Sequence, residues 1–234
     1  MTQPGYVMSE VVPGILSAVP SRSVVLTEDD IKPKHGIGQK TFVMIDIESL
    51  GLRVGSPILS VGICSVVPGI GIIDSMKWNL NLQEQLNRGG KIEADAFFWW
   101  LNQSEAARSS LVTGQADSIN LEQFQRELTD YWLTTIDARV RDHFIVDPEH
   151  MYVMALGNDF DIAQIDFWLN GAVPWHYRKK ICLRALIHEY PQSVIWDENA
   201  ADAKHDALED ALSQSRMLLR MIERHPHIGR IEQC

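Results

Sequence analysis

Asp46 and Glu48 stand two residues apart in Thr41-Phe-Val-Met-Ile-Asp-Ile-Glu-Ser-Leu-Gly51, a run otherwise dominated by β-branched and bulky apolar side chains. Such a run reads as a buried strand, and the strand period of two points both carboxyls to the same side. Like charges crowded at the end of an apolar strand are unfavourable unless a cation or a proton relieves them. Hard oxygen donors suit Mg²⁺ or Mn²⁺, so the pair predicts a divalent-metal site. A strand that simply ends in polar residues, with one acid in solvent, accounts for the same letters, because short D-x-E matches are common.

Acids recur at two further places. In His205-Asp-Ala-Leu-Glu-Asp210, Asp206 with Glu209 makes a capping-box pattern, which puts His205 just outside a helix and Asp210 within its first turns. A capped surface helix explains Asp206 and Glu209 well, through the amino-terminal dipole, but leaves the His205 and Asp210 pair unexplained. Gly157-Asn-Asp-Phe-Asp161 follows an apolar strand, at the carboxyl end where α/β sheets place ligands. Asp159, or Asp161 with Gln164, would equally serve to start a helix.

Elements must bring these patches together. Beyond the first strand, Pro57 to Val67 and Ile70 to Leu80 read as two more strands, separated by Ser49-Leu-Gly-Leu-Arg and by Pro68-Gly69. Strand, turn, strand, turn, strand is an antiparallel meander. Apolar spacing then changes to three and four, predicting helices over Glu93 to Leu111 and Asn120 to Val140, with Ser118 or Asn120 as cap. Met151 to Leu156 reads as a short strand, followed by helices through Leu169, over Ala185 to Tyr190 and over Asp206 to Arg224. The sum is an α/β fold in which a mixed sheet, a meander plus helix-linked strands, is flanked by helices. Residues 1–40, with Pro4, Pro13, Pro20 and Pro33 and no sustained period, read as an arm lying on the domain or on a neighbouring subunit, as in a dimer. Residues 41–225 make one domain, and 226–234 a tail.

Asp46-Ile-Glu48, Phe160-Asp161 and His205 followed by Asp210 resemble the three exonuclease motifs of the DnaQ-like (DEDDh) 3′–5′ exonuclease superfamily, over residues 41–215. Asp-Ile-Glu-Ser-Leu-Gly and Trp99-Trp-Leu-Asn-Gln-Ser-Glu-Ala-Ala-Arg108 are similar to phage DexA-type exodeoxyribonucleases and their bacterial exoribonuclease-like relatives. The resemblance implies an RNase H-like fold and phosphodiester hydrolysis with two divalent ions, Mg²⁺ or Mn²⁺, roughly 3.5–4 Å apart. By the same resemblance Asp46, Glu48, Asp161 and Asp210 hold the ions, the Phe-Asp pair favouring Asp161 over Asp159. His205 becomes the general base, a role suited to an imidazole near neutral pH. The resemblance also implies that Ser49, Leu50 and Gly51 hold the terminal nucleotide. Among aromatic and basic residues, Trp99 or Trp100 offers a base a stacking surface, although adjacent helical residues cannot share a face. Arg178, in Tyr177-Arg-Lys-Lys with Arg184 nearby, is the best cation for a phosphate backbone, unless it belongs to a solvated helix face. The expected substrate is single-stranded nucleic acid, DNA ahead of RNA, with a noncatalytic nucleic-acid-binding scaffold as the alternative.

Composition limits the field. The net charge of −10 over 234 residues argues against broad attachment to polyanions, though acids gathered at a metal site contribute to it. Cys64, Cys182 and Cys234 are widely spaced, which predicts two core thiols and a terminal one in a reducing, cytoplasmic setting, without zinc. No apolar stretch reaches membrane-spanning length, and the amino end lacks the character of a secretory signal.

Overall fold

A computed structural model describes residues 40–141, 148–194 and 205–230. Strands β1 (Thr41–Ser49), β2 (Ile58–Val67) and β3 (Gly71–Asn79) form the antiparallel meander, and β4 (Met151–Ala155) joins β1 in parallel. A fifth strand, β5 (Lys180–Cys182), extends the sheet in parallel on β4, giving the order β3-β2-β1-β4-β5. This mixed sheet, with helices on both faces, is an RNase H-like fold.

The faces follow from the strand period. Val43, Ile45 and Ile47 point to one side, against Phe124 and Leu128 of α4 (Leu121–Arg141) and Ile162 and Ile165 of α5 (Asp161–Trp168). Phe42 and Met44 point to the other, against Ala211, Leu218 and Met221 of α7 (Ala207–Arg224). Asp46 and Glu48 continue this second row, so their strand period aims them at the amino end of α7. Strand β2 is buried along its whole length, as expected for a near-continuous apolar run covered on both sides. Each fully buried Leu or Met on these faces contributes roughly 1.5–3 kcal/mol.

The chain departs from the sequence expectation between 93 and 111. Two helices, α2 (Ala94–Leu101) and α3 (Glu105–Ala116), stand where one was expected. Ser104 breaks the run by capping α3, its side chain accepting from the Ala107 N–H at 3.2 Å. The apolar period survives the break because Trp100, Ala107 and Leu111 all pack on Leu50 and Leu59. Helix α1 (Leu82–Asn87) and β5 were not expected either, both being too short to show a period. The short helix expected over 185–190 is α6 (Leu183–Glu189), and Asp206 is the cap of α7, as the capping-box pattern predicts. Cys64 is buried as expected, while Cys182 is only half-buried and Cys234 lies outside the described residues. Of the arm only Lys40 is described. In the stretch read as a tail, Pro226–Gly229 forms a 3-10 turn with Ile228 buried against α7.

Candidate active site

Helix α7 reaches β1 because Gly62 lets it. Asp46 pairs with Gly62 on β2, and Gly62 with Lys77 on β3, so the three occupy one row across the sheet. A Cβ on Gly62 would lie 2.1 Å from the Ala207 carbonyl oxygen and 2.4 Å from the Leu208 nitrogen, a separation no side chain survives. The first turn of α7 therefore rests directly on β2, and Asp210 projects toward the β1 acids. Carboxylate oxygens of Asp46, Glu48 and Asp210 lie within 4.8 Å of one another.

Asp161 approaches from the other face of the sheet, outside this group of three but near enough for its charge to act on Asp46. It opens α5 just beyond the carboxyl end of β4, where it is 5% exposed, whereas Asp159 is exposed. Its carboxylate accepts from the Gly157 N–H at 3.4 Å and from the Ile47 N–H, next in chain to Asp46. Asp206 stands beside the cluster but is committed to other partners. It caps α7 through the Leu208 and Glu209 N–H groups and pairs with Lys77 at 2.6 Å.

Burial raises all four acids, and the charges of the other cluster members add to it at Asp46 and Glu48. Burial foremost, then the charges of Asp161, Glu48 and Asp210, holds Asp46 well above the usual carboxylate range, and the Gln214 amide opposes this. Glu48 is pushed up to about 8 by burial and then by Asp210 and Asp206, with Lys77 pulling the other way. Burial raises Asp161 to about 7 against the N–H donors of Gly157 and Ile47 and the charge of Arg184. Asp210 is raised by burial, while the backbone N–H and charge of His205 oppose the shift. Metal-free, the cluster therefore holds protons at neutral pH.

A divalent cation fits this donor set. The cluster offers only hard oxygens, it forms no ion pair with any lysine or arginine among the described residues, and it adjoins a buried carbonyl oxygen, Gln214 Oε1, that has no hydrogen-bond partner. A hydrated cation brings both the positive charge and the O–H donors that are missing.

His205 stands at the rim in the left-handed region, φ 72°, uncommon for a non-glycine residue. Its backbone N–H donates to the Asp210 carboxylate, and its ring meets Trp99 edge-on, with centroids 4.6 Å apart. Trp99 is 44% exposed and Trp100 is 5% exposed, which resolves the question of which neighbour packs. The indole of Trp100 donates to the Ser49 carbonyl at 2.9 Å.

Beside the acids lies a cleft of about 400 Å³ lined by Glu48, Ser49, Gly51, Glu93, Trp99 and Phe160, among others. Ser49 and Gly51 thus reach it, while Leu50 turns its side chain into the apolar cluster with Leu59 and Trp100. Gly51 is required there, since a Cβ would lie 2.3 Å from Ser56 Oγ. Arg178 is not brought to the acids. Lys180 pairs with Val153, so Arg178 precedes β5 at the amino end of the parallel strands, where its guanidinium stacks on Tyr177. Its neighbours are occupied, Lys180 by Asp166 and Lys179 by the carbonyl of Glu149. Arg184, at the start of α6, approaches the site on the Asp161 side, as Lys77 does on the Glu48 side, and a guanidinium nitrogen of Arg184 lies 3.4 Å from where a Cβ on Gly157 would sit.

Sequence reasoning passed over three contributors. Glu93 accepts from the Leu52 and Arg53 N–H groups at 3.2 and 3.3 Å, fixing the turn that carries Gly51, and Phe160 lines the cleft. Gln214 donates from Nε2 to Asp46 Oδ1 at 2.6 Å. Its signal was its position, four residues after Asp210 and therefore on the same helical face.

Residues 41–222 match the family model described as the 3′–5′ exoribonuclease Rv2179c-like domain. No curated protein matches the sequence. Among solved structures, the fold is similar to the zinc-bound form of the E. coli ExoI–ssDNA complex, at 14% identity and a TM-score of 0.54 over 81% of this chain and 42% of that one. A product-bound structure of exonuclease I aligns at 12% identity and a TM-score of 0.55, over 81% and 45% respectively. The chain thus spans less than half the length of these structures, and at such identities the likeness is one of fold. The family match covers the three acid-bearing patches and the cleft together, and the chain belongs to the Rv2179c-like 3′–5′ exoribonuclease domain family, within the DnaQ-like exonuclease superfamily.

Proposed function

We propose that this chain is a divalent-metal-dependent exonuclease of the DEDDh type that releases nucleoside 5′-monophosphates from the 3′ end of single-stranded RNA. The observation that carries the reading is the gathering of Asp46, Glu48 and Asp210 beside an open cleft, with Asp161 near enough to act on Asp46 and with no ion pair to a lysine or arginine among the described residues. A noncatalytic scaffold has no need of a carboxylate cluster in which neighbouring charges raise Asp46 and Glu48.

Asp46, Glu48, Asp161 and Asp210 would hold two ions, Mg²⁺ or Mn²⁺. When bound, such ions neutralise charge on the scissile phosphate and make water nucleophilic at neutral pH. His205 accepts the proton of the attacking water at an imidazole nitrogen, and its position at the rim beside Trp99 leaves it open to that water. The terminal nucleotide lies in the cleft, its base against the exposed Trp99 and its sugar near Ser49 and the closely packed backbone of Gly51. Phe160 and Trp99, lining the same cleft, offer apolar surface to either side.

RNA is put first because the family description names an exoribonuclease over most of the chain. Single-stranded DNA is the second reading, favoured by the fold likeness to an exonuclease whose structure holds ssDNA. The test uses RNA and DNA strands of one sequence, labelled at the 5′ end, with Mn²⁺ or EDTA. A ladder of shortening labelled products in Mn²⁺ alone is expected, faster on RNA. A strand blocked at its 3′ terminus should resist, and its unchanged degradation would refute the polarity.

A further inference from the structure

We infer that Gln214 is a positioning residue for Asp46, fixing the carboxylate at the centre of the acid cluster without neutralising it; the inference rests on the nuclease reading above. Gln214 lies one turn beyond Asp210 on α7 and is 5% exposed. Its Nε2 donates to Asp46 Oδ1 at 2.6 Å, and among the described residues this is the one side-chain hydrogen bond Asp46 makes. Its Oε1 is buried without any hydrogen-bond partner.

Packing does not explain this side chain. Its neighbours on the buried side of α7 are Ala211, Met217, Leu218 and Met221, and an aliphatic residue would fill the same space without burying an unsatisfied carbonyl. Nor is it chosen for charge. A lysine or arginine at this place would hold Asp46 more strongly, but it would also supply the positive charge for which a divalent cation must compete. A neutral amide restrains one carboxylate oxygen and leaves the charge of Asp46 available. The amide is carried by a helix whose first turn rests directly on β2, because Gly62 puts no side chain between them. Helix position, carboxylate orientation and the spacing of the acids are therefore linked through one hydrogen bond. Side chains that orient metal ligands in this way typically change affinity or activity by roughly 10–100-fold when removed.

The experiment compares the full chain with Gln214→Leu and Gln214→Glu, measuring Mn²⁺ binding by calorimetry, melting in EDTA, and kcat and KM on a labelled oligonucleotide. Gln214→Leu should melt in EDTA at or above the parent temperature, bind Mn²⁺ about tenfold more weakly and lose roughly 10–100-fold in kcat at saturating Mn²⁺, with KM nearly unchanged. Gln214→Glu keeps the shape and, once saturating Mn²⁺ has displaced the protons of the cluster, removes the donor, so it should lose kcat at least as severely. Parent-like Mn²⁺ affinity and kcat in Gln214→Leu would overturn the role of Gln214 while leaving the nuclease reading intact. Parent-like kcat in Gln214→Glu would do the same, by showing that shape and not the N–H donor matters, and it remains informative if the leucine variant fails to fold. A parent that neither binds Mn²⁺ nor cuts the oligonucleotide would remove the nuclease reading and the role of Gln214 with it.

Discussion

Asp166, Asp206 and Glu149 each have a lysine against them, namely Lys180, Lys77 and Lys179, whereas Asp46, Glu48, Asp161 and Asp210 have chiefly one another. The first set lies on strand edges and helix surfaces, where a pair in partial contact with water is mildly favourable and asks for nothing more. The second set is gathered from both faces of the sheet into a partly buried spot where neighbouring charges raise Asp46 and Glu48. Acids placed for stability are paired, and acids left unpaired in one place are held there by the rest of the fold. The difference separates surface electrostatics from a site, and substitutions on either side can break it.

The largest effects belong to the unpaired set. Asp46→Asn should reduce activity to background and weaken Mn²⁺ binding together, because Asp46 sits among the other three acids. His205→Ala should lower kcat by roughly 10²–10⁴-fold while leaving Mn²⁺ affinity close to that of the parent, since it removes the base and no ligand. Calorimetry and single-turnover rates on the two variants decide this. Equal affinities and equal residual rates would erase the division of roles.

How much of this contrast can be read in the letters depends on distance along the chain. Asp46 and Glu48 announce themselves because a period of two inside an apolar run is a local signal. The cap at Asp206 and the depth of Asp210 in α7 are equally local. Arg178 misled for the converse reason: a run of basic residues says nothing about which end of a strand it precedes, and the three-residue β5 that decides this was too short to foresee. Gly62 looked like any glycine in a strand, although it sets the approach of α7 to the sheet through a contact with Ala207 far away in sequence. The single helix expected over 93–111 failed at Ser104, where a side-chain cap outweighs a period that continues across it.

A smaller effect follows from protonation. Glu48 has its folded pKa raised from 4.5 to about 8, and Asp161 from 3.8 to about 7. A carboxyl with a raised folded pKa binds its proton more tightly in the folded state, so its stabilising contribution is fully present below the unfolded value and is lost as pH rises through the folded one. Metal-free protein should therefore melt at a progressively lower temperature between about pH 4.5 and pH 8. Saturating Mn²⁺ should reverse the trend, because the ion competes with those protons and binds the folded state alone. Melting curves in EDTA and in Mn²⁺ across this range test both halves. A flat profile in EDTA would mean that solvent already relieves the cluster.

The smallest effect is the most direct test of the comparison, for it makes the same chemical change in both sets. Asp166→Asn removes a carboxylate charge that faces Lys180 and keeps an oxygen for the Trp175 indole, which donates to Asp166 Oδ1 at 3.3 Å. Both partners of the pair are about a quarter exposed, so solvent screens the loss, and the variant should be destabilised by about 1 kcal/mol or less, a shift of roughly 2–4 °C at most. Asp210→Asn removes a charge that faces other acids. Its amide oxygen can still accept from the His205 N–H, and the first like charge acting on Glu48 is gone. In EDTA at pH 8 this variant should therefore melt at the parent temperature or above it, and its gain from Mn²⁺ should shrink. Opposite signs for one substitution type would mean that pairing, and not burial or helix position, divides the two sets. If Asp210→Asn were the more damaging in EDTA and kept the full response to Mn²⁺, Asp210 would belong with Asp206 as a structural acid of the α7 amino terminus.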